Sequence, residues 1–176
     1  MFRVALSGYS LLVHRGQLPE IYPEYRRRAT LAEEFNLSDS DGEACLVAVG
    51  VAGDWPALVV GQRFSPCAGG FDPGVLPVPE TCVLFIGAGT RLLAYDLEGP
   101  RRLWEDTADY GFWSWDRHGE VVLMSAELEL AAWDTAGRKL WTTFVEPPWS
   151  YRVVADTVHL DVMGRESQFP LHRGPG

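Results

Sequence analysis

The sequence is poor in lysine. Of its 15 basic residues, 14 are arginine, and Lys139 is the single lysine. Acidic residues number 24, and the net charge is −9. Such a chain repels a phosphate backbone. Its one short basic run, Arg26-Arg27-Arg28, is flanked by Glu24, Glu33 and Glu34, the pattern of a solvated face. Nucleic acid is therefore not an expected partner. Cysteine is scarce as well. Cys45, Cys67 and Cys82 are odd in number, widely spaced and free of any Cys-x-x-Cys, which excludes a disulfide framework and predicts reduced thiols in a cytoplasm. No apolar window reaches transmembrane length, and Met1 to Gly8 has no basic region followed by a long apolar run. The expectation is a soluble cytoplasmic protein that does not associate with membranes.

The motifs of catalysis are also missing. No Gly-x-Ser-x-Gly is present. The four histidines, His14, His118, His159 and His172, form no His-x-x-x-His or Glu-x-x-His pair. Gly87-Ala88-Gly89 is followed by neither a helix pattern nor Lys-Ser/Thr, so it is not a phosphate loop. Asn36 to Gly42 carries two aspartates but lacks the glutamate of a calcium loop. Cys67, in a Pro/Gly-rich loop, has no nearby histidine to activate it. No cofactor, metal or catalytic residue is expected.

Apolar residues are abundant, at 47%, and include seven Trp, eight Phe and six Tyr. That is ample for a single buried core over 1–176. Three regions follow from the patterning. Residues 1–43 hold strands about Gly8 and a short helix at Glu24 to Phe35, with Tyr25, Ala29, Ala32 and Phe35 on one face. Residues 44–80 hold a hairpin of Ala44–Val51 and Ala57–Phe64, then a long loop from Ser65 to Glu80. Residues 81–176 hold repeats.

One copy runs Val83-Leu84-Phe85-Ile86, Leu92-Leu93-Ala94-Tyr95-Asp96, Leu103-Trp104. The next runs Val121-Val122-Leu123-Met124, Leu130-Ala131-Ala132-Trp133-Asp134, Leu140-Trp141. The offset of about 38 residues is that of propeller blades. Val158–Val162 and Ser167–Leu171 make a third, incomplete copy, with Leu171 where the others have Asp. Asp96 and Asp134 precede Gly-containing turns whose N–H groups they can accept. Trp104 and Trp141 are plates for a neighbouring sheet.

Ala94-Tyr95-Asp96 through Trp104, and Ala132-Trp133-Asp134 through Trp141, resemble the tryptophan-docking repeat of quinoprotein-like β-propellers. The resemblance covers about residues 81–172. Closure needs about four blades, and two plus a fragment are present, so the quinone cofactor of that family is not carried over. The fold implied is all-β: antiparallel blade-like repeats forming an open propeller-like sheet array or a β-sandwich, with one short N-terminal helix.

Two functional readings follow. The first is a non-catalytic protein-interaction module that binds a protein partner, of an immunity or regulatory type, since small acidic bacterial proteins of this kind look like immunity proteins. Its anchors would be Trp113 and Trp115 on one strand face, and Glu146, Trp149 and Tyr151 on a stiff loop after Pro147-Pro148. The alternative is a small-molecule-binding or hydrolytic β domain with a site near the 65–80 loop, built from Asp72, Glu80, His159 and Asp161. Glu127 and Glu129, two apart, read as the wet face of a strand.

Overall fold

A computed structural model describes residues 2–6, 8–65 and 72–176, the first of these through their backbone alone. Cys67 and the middle of the Ser65–Glu80 loop lie outside the described residues. The chain opens with a hairpin of β1 (Phe2–Leu6) and β2 (Tyr9–Gly16), turning at Gly8, whose φ of 92° suits a residue without Cβ. Helix α1 (Tyr22–Arg28) follows, with Pro23 in its first turn. Then come β3 (Leu31–Phe35), β4 (Glu43–Val51) and β5 (Leu58–Phe64). They form a five-stranded sheet in the order β1-β2-β4-β5-β3, with β3 parallel to β5.

The expected helix over Glu24 to Phe35 is thus half helix and half strand. The chain turns extended at Ala29 (φ −63°, ψ 145°). Leu31 and Phe35 then pack toward the second sheet, while Tyr25 and Ala29 stay on the α1 side. Backbone pairing with β5 overrides the helical spacing there.

The remaining strands are β6 (Gly74–Val78), β7 (Val83–Ala88), β8 (Arg91–Asp96), β9 (Arg101–Thr107), β10 (Phe112–His118), β11 (Val121–Ala126), β12 (Glu129–Asp134), β13 (Lys139–Phe144), β14 (Trp149–Val154), β15 (Thr157–Val162) and β16 (Arg165–Pro170). Each sheet is an antiparallel meander: β6 to β9, β10 to β13, and β14 to β16. Two of these strands arise where loops were expected. Gly74–Val78 is an edge strand, a position that tolerates Pro77. Trp149–Val154 pairs with β15 instead of projecting as a loop.

The four sheets stack face to face in chain order. Val47, Val49 and Val60 of the first meet Leu84, Ile86 and Tyr95 of the second. Phe85, Leu92 and Ala94 of the second meet Trp115, Met124 and Trp133 of the third. Leu123, Leu130 and Ala132 of the third meet Val158, Leu160 and Phe169 of the fourth. The middle sheets bury both faces, so β7 and β11 are buried at every position and read as continuous apolar runs. The result is an incomplete, propeller-like row of blades.

The repeated tryptophans tie adjacent blades. Trp104 Nε1 donates to the Gly137 carbonyl at 2.5 Å, and Trp141 Nε1 to the Leu171 carbonyl at 2.7 Å. Each ring therefore docks on the turn of the next sheet. Gly137 (φ 88°) lies under the Trp104 ring edge, and Gly174 (φ 74°) lies under Trp141, where a Cβ would come within 2.5 Å of the ring. The aspartates act as expected. Asp134 Oδ1 accepts the Ala136 and Arg138 N–H groups, and Asp96 Oδ1 accepts that of Glu98.

Candidate interaction surface

Three loops meet at one end of the third sheet. Glu127 N–H donates to the Gly111 carbonyl at 3.2 Å, Leu128 N–H to that of Asp109 at 3.4 Å, and Val145 N–H to that of Leu128 at 3.1 Å. These bonds join the β9–β10 connection, the β11–β12 turn and the end of β13. Glu129 locks the junction from below. Its carboxylate accepts the Thr142 hydroxyl at 2.6 Å and the Asp109 N–H at 3.2 Å, with the Lys139 ammonium 3.8 Å away. Glu129 is buried, which corrects its reading as part of a wet face. A buried carboxylate is tolerated when hydrogen-bonded in this way.

Two large aromatics project from this rigid base. Tyr110 is 70% exposed and Phe144 67%. The joined segments also carry Asp109, Glu127 and Glu146, none of which has an ion pair among the described residues.

An aromatic ladder runs from this end across the junction of the third and fourth sheets. Trp113 stacks on Trp149 with centroids 5.2 Å apart and planes 9° off parallel, and Trp149 stacks on Tyr151 at 6.2 Å and 21°. Trp149 Nε1 donates to the Glu127 carbonyl at 3.0 Å. Tyr151 donates its hydroxyl to Asp116 Oδ2 at 2.8 Å, which also accepts from Ser114 Oγ at 2.9 Å. Burial, then the bond to Asp116, raises the Tyr151 phenol well above its usual range.

Of the expected anchors, Trp113, Trp149 and Tyr151 are therefore together, with Glu146 exposed beside them. Trp115 is not. The β10 register shifts between Phe112 and Ser114, a bulge at Trp113. The bulge sends Trp113 toward the fourth sheet and leaves Trp115 against Phe85, Phe112 and Trp133 in the core. Trp149 is half-buried and in a strand, so it seals the sheet junction more than it projects. Sequence reasoning missed Tyr110 and Phe144. The signal was an aromatic inside the Asp109-Tyr110-Gly111 turn, and one ending a strand just before Glu146-Pro147-Pro148.

The alternative site is not assembled. Asp72 pairs with Arg15 of the first sheet, and Glu80 holds Arg117 through two bonds of 3.0 and 3.1 Å. His159 and Asp161 lie on the outer face of the fourth sheet, beyond the whole third sheet. There they share a shallow polar hollow of about 180 Å³ with Ser150, Arg152, Glu166 and Gln168. Asp161 is occupied by the Gly164 N–H at 2.8 Å. Among the described residues no three His, Cys, Asp or Glu converge as metal ligands. Cys45 and Cys82 are free thiols, and burial pushes the Cys45 thiol up to about 12, so it is inert. No described helix is long and apolar enough to cross a membrane.

No family model matches the chain, and no curated protein does. Similar solved structures exist. The computationally designed Ika8 protein is 13% identical, with a TM-score of 0.44, over 78% of this chain and 45% of that one. BamB from Moraxella catarrhalis is 15% identical, with a TM-score of 0.36, over 81% and 50%. Hsv2 of Kluyveromyces lactis is 9% identical, with a TM-score of 0.32, over 56% and 32%. The chain spans half or less of the length of each of these proteins.

Proposed function

We propose that this protein is a non-catalytic interaction module, and that the end of the third sheet binds a basic segment of a protein partner. One observation carries the reading: Tyr110 and Phe144 stand exposed on segments that backbone hydrogen bonds tie together, and the same segments carry Asp109, Glu127 and Glu146 without ion pairs among the described residues. Rigid aromatics give contact area at low entropic cost, and the carboxylates steer a cationic partner. Trp149 buttresses the surface through its bond to Glu127. An immunity-type or regulatory role in a cytoplasm is the form of binding that best fits a small acidic chain.

The test is affinity capture with the wild type and with the Tyr110→Ala/Phe144→Ala double variant, followed by titration of the captured partner. The double variant should melt within a few degrees of wild type and lose roughly 2 kcal/mol or more of affinity, as removal of interface anchors does. Binding of the wild type should also weaken with added salt. Equal affinity of variant and wild type would remove the surface from the reading.

A further inference from the structure

Two large apolar side chains outside the core depart from the same backbone rule. Among the described residues, Asn36, Cys82, Tyr110, Ala155, Asp156 and Met163 hold a positive φ without being glycine. That region suits Asn and Asp, whose short side chains bond locally, and disfavours a bulky residue. Tyr110 (φ 63°) and Met163 (φ 55°) are bulky and exposed there, at 70% and 60%. Each is followed by a glycine at positive φ, Gly111 (114°) and Gly164 (81°). Met163-Gly164 is the two-residue turn between Val162 of β15 and Arg165 of β16, where Asn-Gly is the favoured pair. Neither side chain belongs to the apolar clusters within the molecule, so packing does not offset the strain. Strain of this kind persists where the exposed side chain has a use.

The two turns are tied together across neighbouring sheets. Glu127 N–H donates to the Gly111 carbonyl at 3.2 Å, Trp149 Nε1 to the Glu127 carbonyl at 3.0 Å, and Met163 N–H to the Pro148 carbonyl at 2.9 Å. Given Tyr110 and Phe144 as anchors, a reading on which this rests, we propose that their surface continues over Pro147-Pro148 onto the fourth sheet, with Met163 as its third anchor. It would then take a segment that is basic at one end and apolar at the other. Charge decides how that segment lies. Residues 109–111, 127–128 and 144–149 include Asp109, Glu127 and Glu146 and no Arg, Lys or His. At the fourth sheet the balance changes: Asp161 accepts the Gly164 N–H at 2.8 Å, and the exposed Arg165 follows the turn. A cationic side chain is therefore favoured at the third sheet and an uncharged apolar one at Met163, whose unbranched thioether adapts to such a contact.

The test uses two capped peptides, Arg-Lys-Arg-Gly-Leu-Leu and Arg-Lys-Arg-Gly-Ser-Ser, titrated into the full chain and followed by amide and methionine-methyl NMR shifts. Both should give saturable shifts at 109–111 and 144–146. The leucine peptide alone should shift the Met163 methyl, and it should bind about four-fold more tightly than the serine peptide, the effect of about one buried methylene group. Met163→Asn should remove that preference and leave the serine peptide's affinity unchanged. It should melt no lower than wild type, because asparagine suits the left-handed turn. Equal binding of the two peptides, a preference kept in Met163→Asn, or a lower melting temperature of that variant would each overturn the proposal, while saturable shifts at 109–111 would leave Tyr110 and Phe144 standing as anchors. No saturable shift at 109–111 with either peptide would overturn both.

Discussion

At the scale of the residue, the molecule depends on a few close approaches between ring and backbone. Trp141 covers Gly174, with no space for a Cβ. Gly174→Ala is expected to cost about 2–3 kcal/mol, from a left-handed φ and an overpacked ring together. Gly99, with nothing within 4 Å of its missing Cβ, is the control, and its Ala variant should stay within about 0.5 kcal/mol of wild type. Urea titrations of both variants check this. Trp141→Ala should lose about 3–5 kcal/mol, the usual cost of emptying a buried aromatic site. Trp104, half-buried but stacked on Trp133 at 5.3 Å and 19°, should lose at least about 3 kcal/mol on truncation to Ala. Thermal melts close to wild type would refute the docking role of either ring. Trp149→Ala should also lower the melting temperature, because the residue stacks on Trp113 and bonds Glu127. It is therefore a poorer probe of binding than Tyr110 or Phe144.

At the scale of the element, the repeats were legible because each copy spends the same residues on the same tasks. Asp before the turn, Gly within it and Trp after it are chemically narrow requirements, and the structure uses all three. What could not be read is where neighbours decide. Leu31–Phe35 has helical spacing but joins β5 as a parallel strand, a long-range pairing that no local pattern announces. Trp113 and Trp115 are two apart and look like one face. A one-residue bulge separates them, and a bulge leaves no compositional mark here. Trp149 follows two prolines and looks like loop, yet it opens β14 by pairing with Val162. The candidate surface was half legible. Glu146 and Trp149 were in view, while Tyr110 and Phe144 are brought to the same end only by the bonds joining 109–111, 127–129 and 145. Asp72, Glu80, His159 and Asp161 were drawn together by residue type, and the stacking order of the sheets keeps them apart.

At the scale of the whole molecule, both ends of the row are finished differently. The first sheet carries α1 on its outer face, while the fourth shows water a polar face of Ser150, Arg152, His159, Asp161, Glu166 and Gln168. Pro170 and the charged Arg165 and Glu166 lie on β16, residues that blunt an edge strand against further pairing. Two carboxylates in ion pairs and three tyrosines raised by burial set the pH range. Glu43 and Glu80 are held below the usual carboxylate range by bonds to Arg15 and Arg117. Their contribution is present above the unfolded value of 4.5 and is lost as pH falls through the lower folded values. Tyr22, Tyr95 and Tyr151 are raised, mainly by burial and then by bonds to Glu34, Glu33 and Asp116. Their contribution is present below the unfolded value of 10.0 and is lost as pH rises past it. The melting temperature should be flat between those limits and fall on either side, more steeply on the alkaline side, where the groups are buried. The functional account rests on one surface, and amide hydrogen exchange of the protein with and without its captured partner tests it most directly. The account predicts new protection at 109–111, 127–129 and 144–149. Protection confined to the outer face of the fourth sheet, with those segments unchanged, would contradict it.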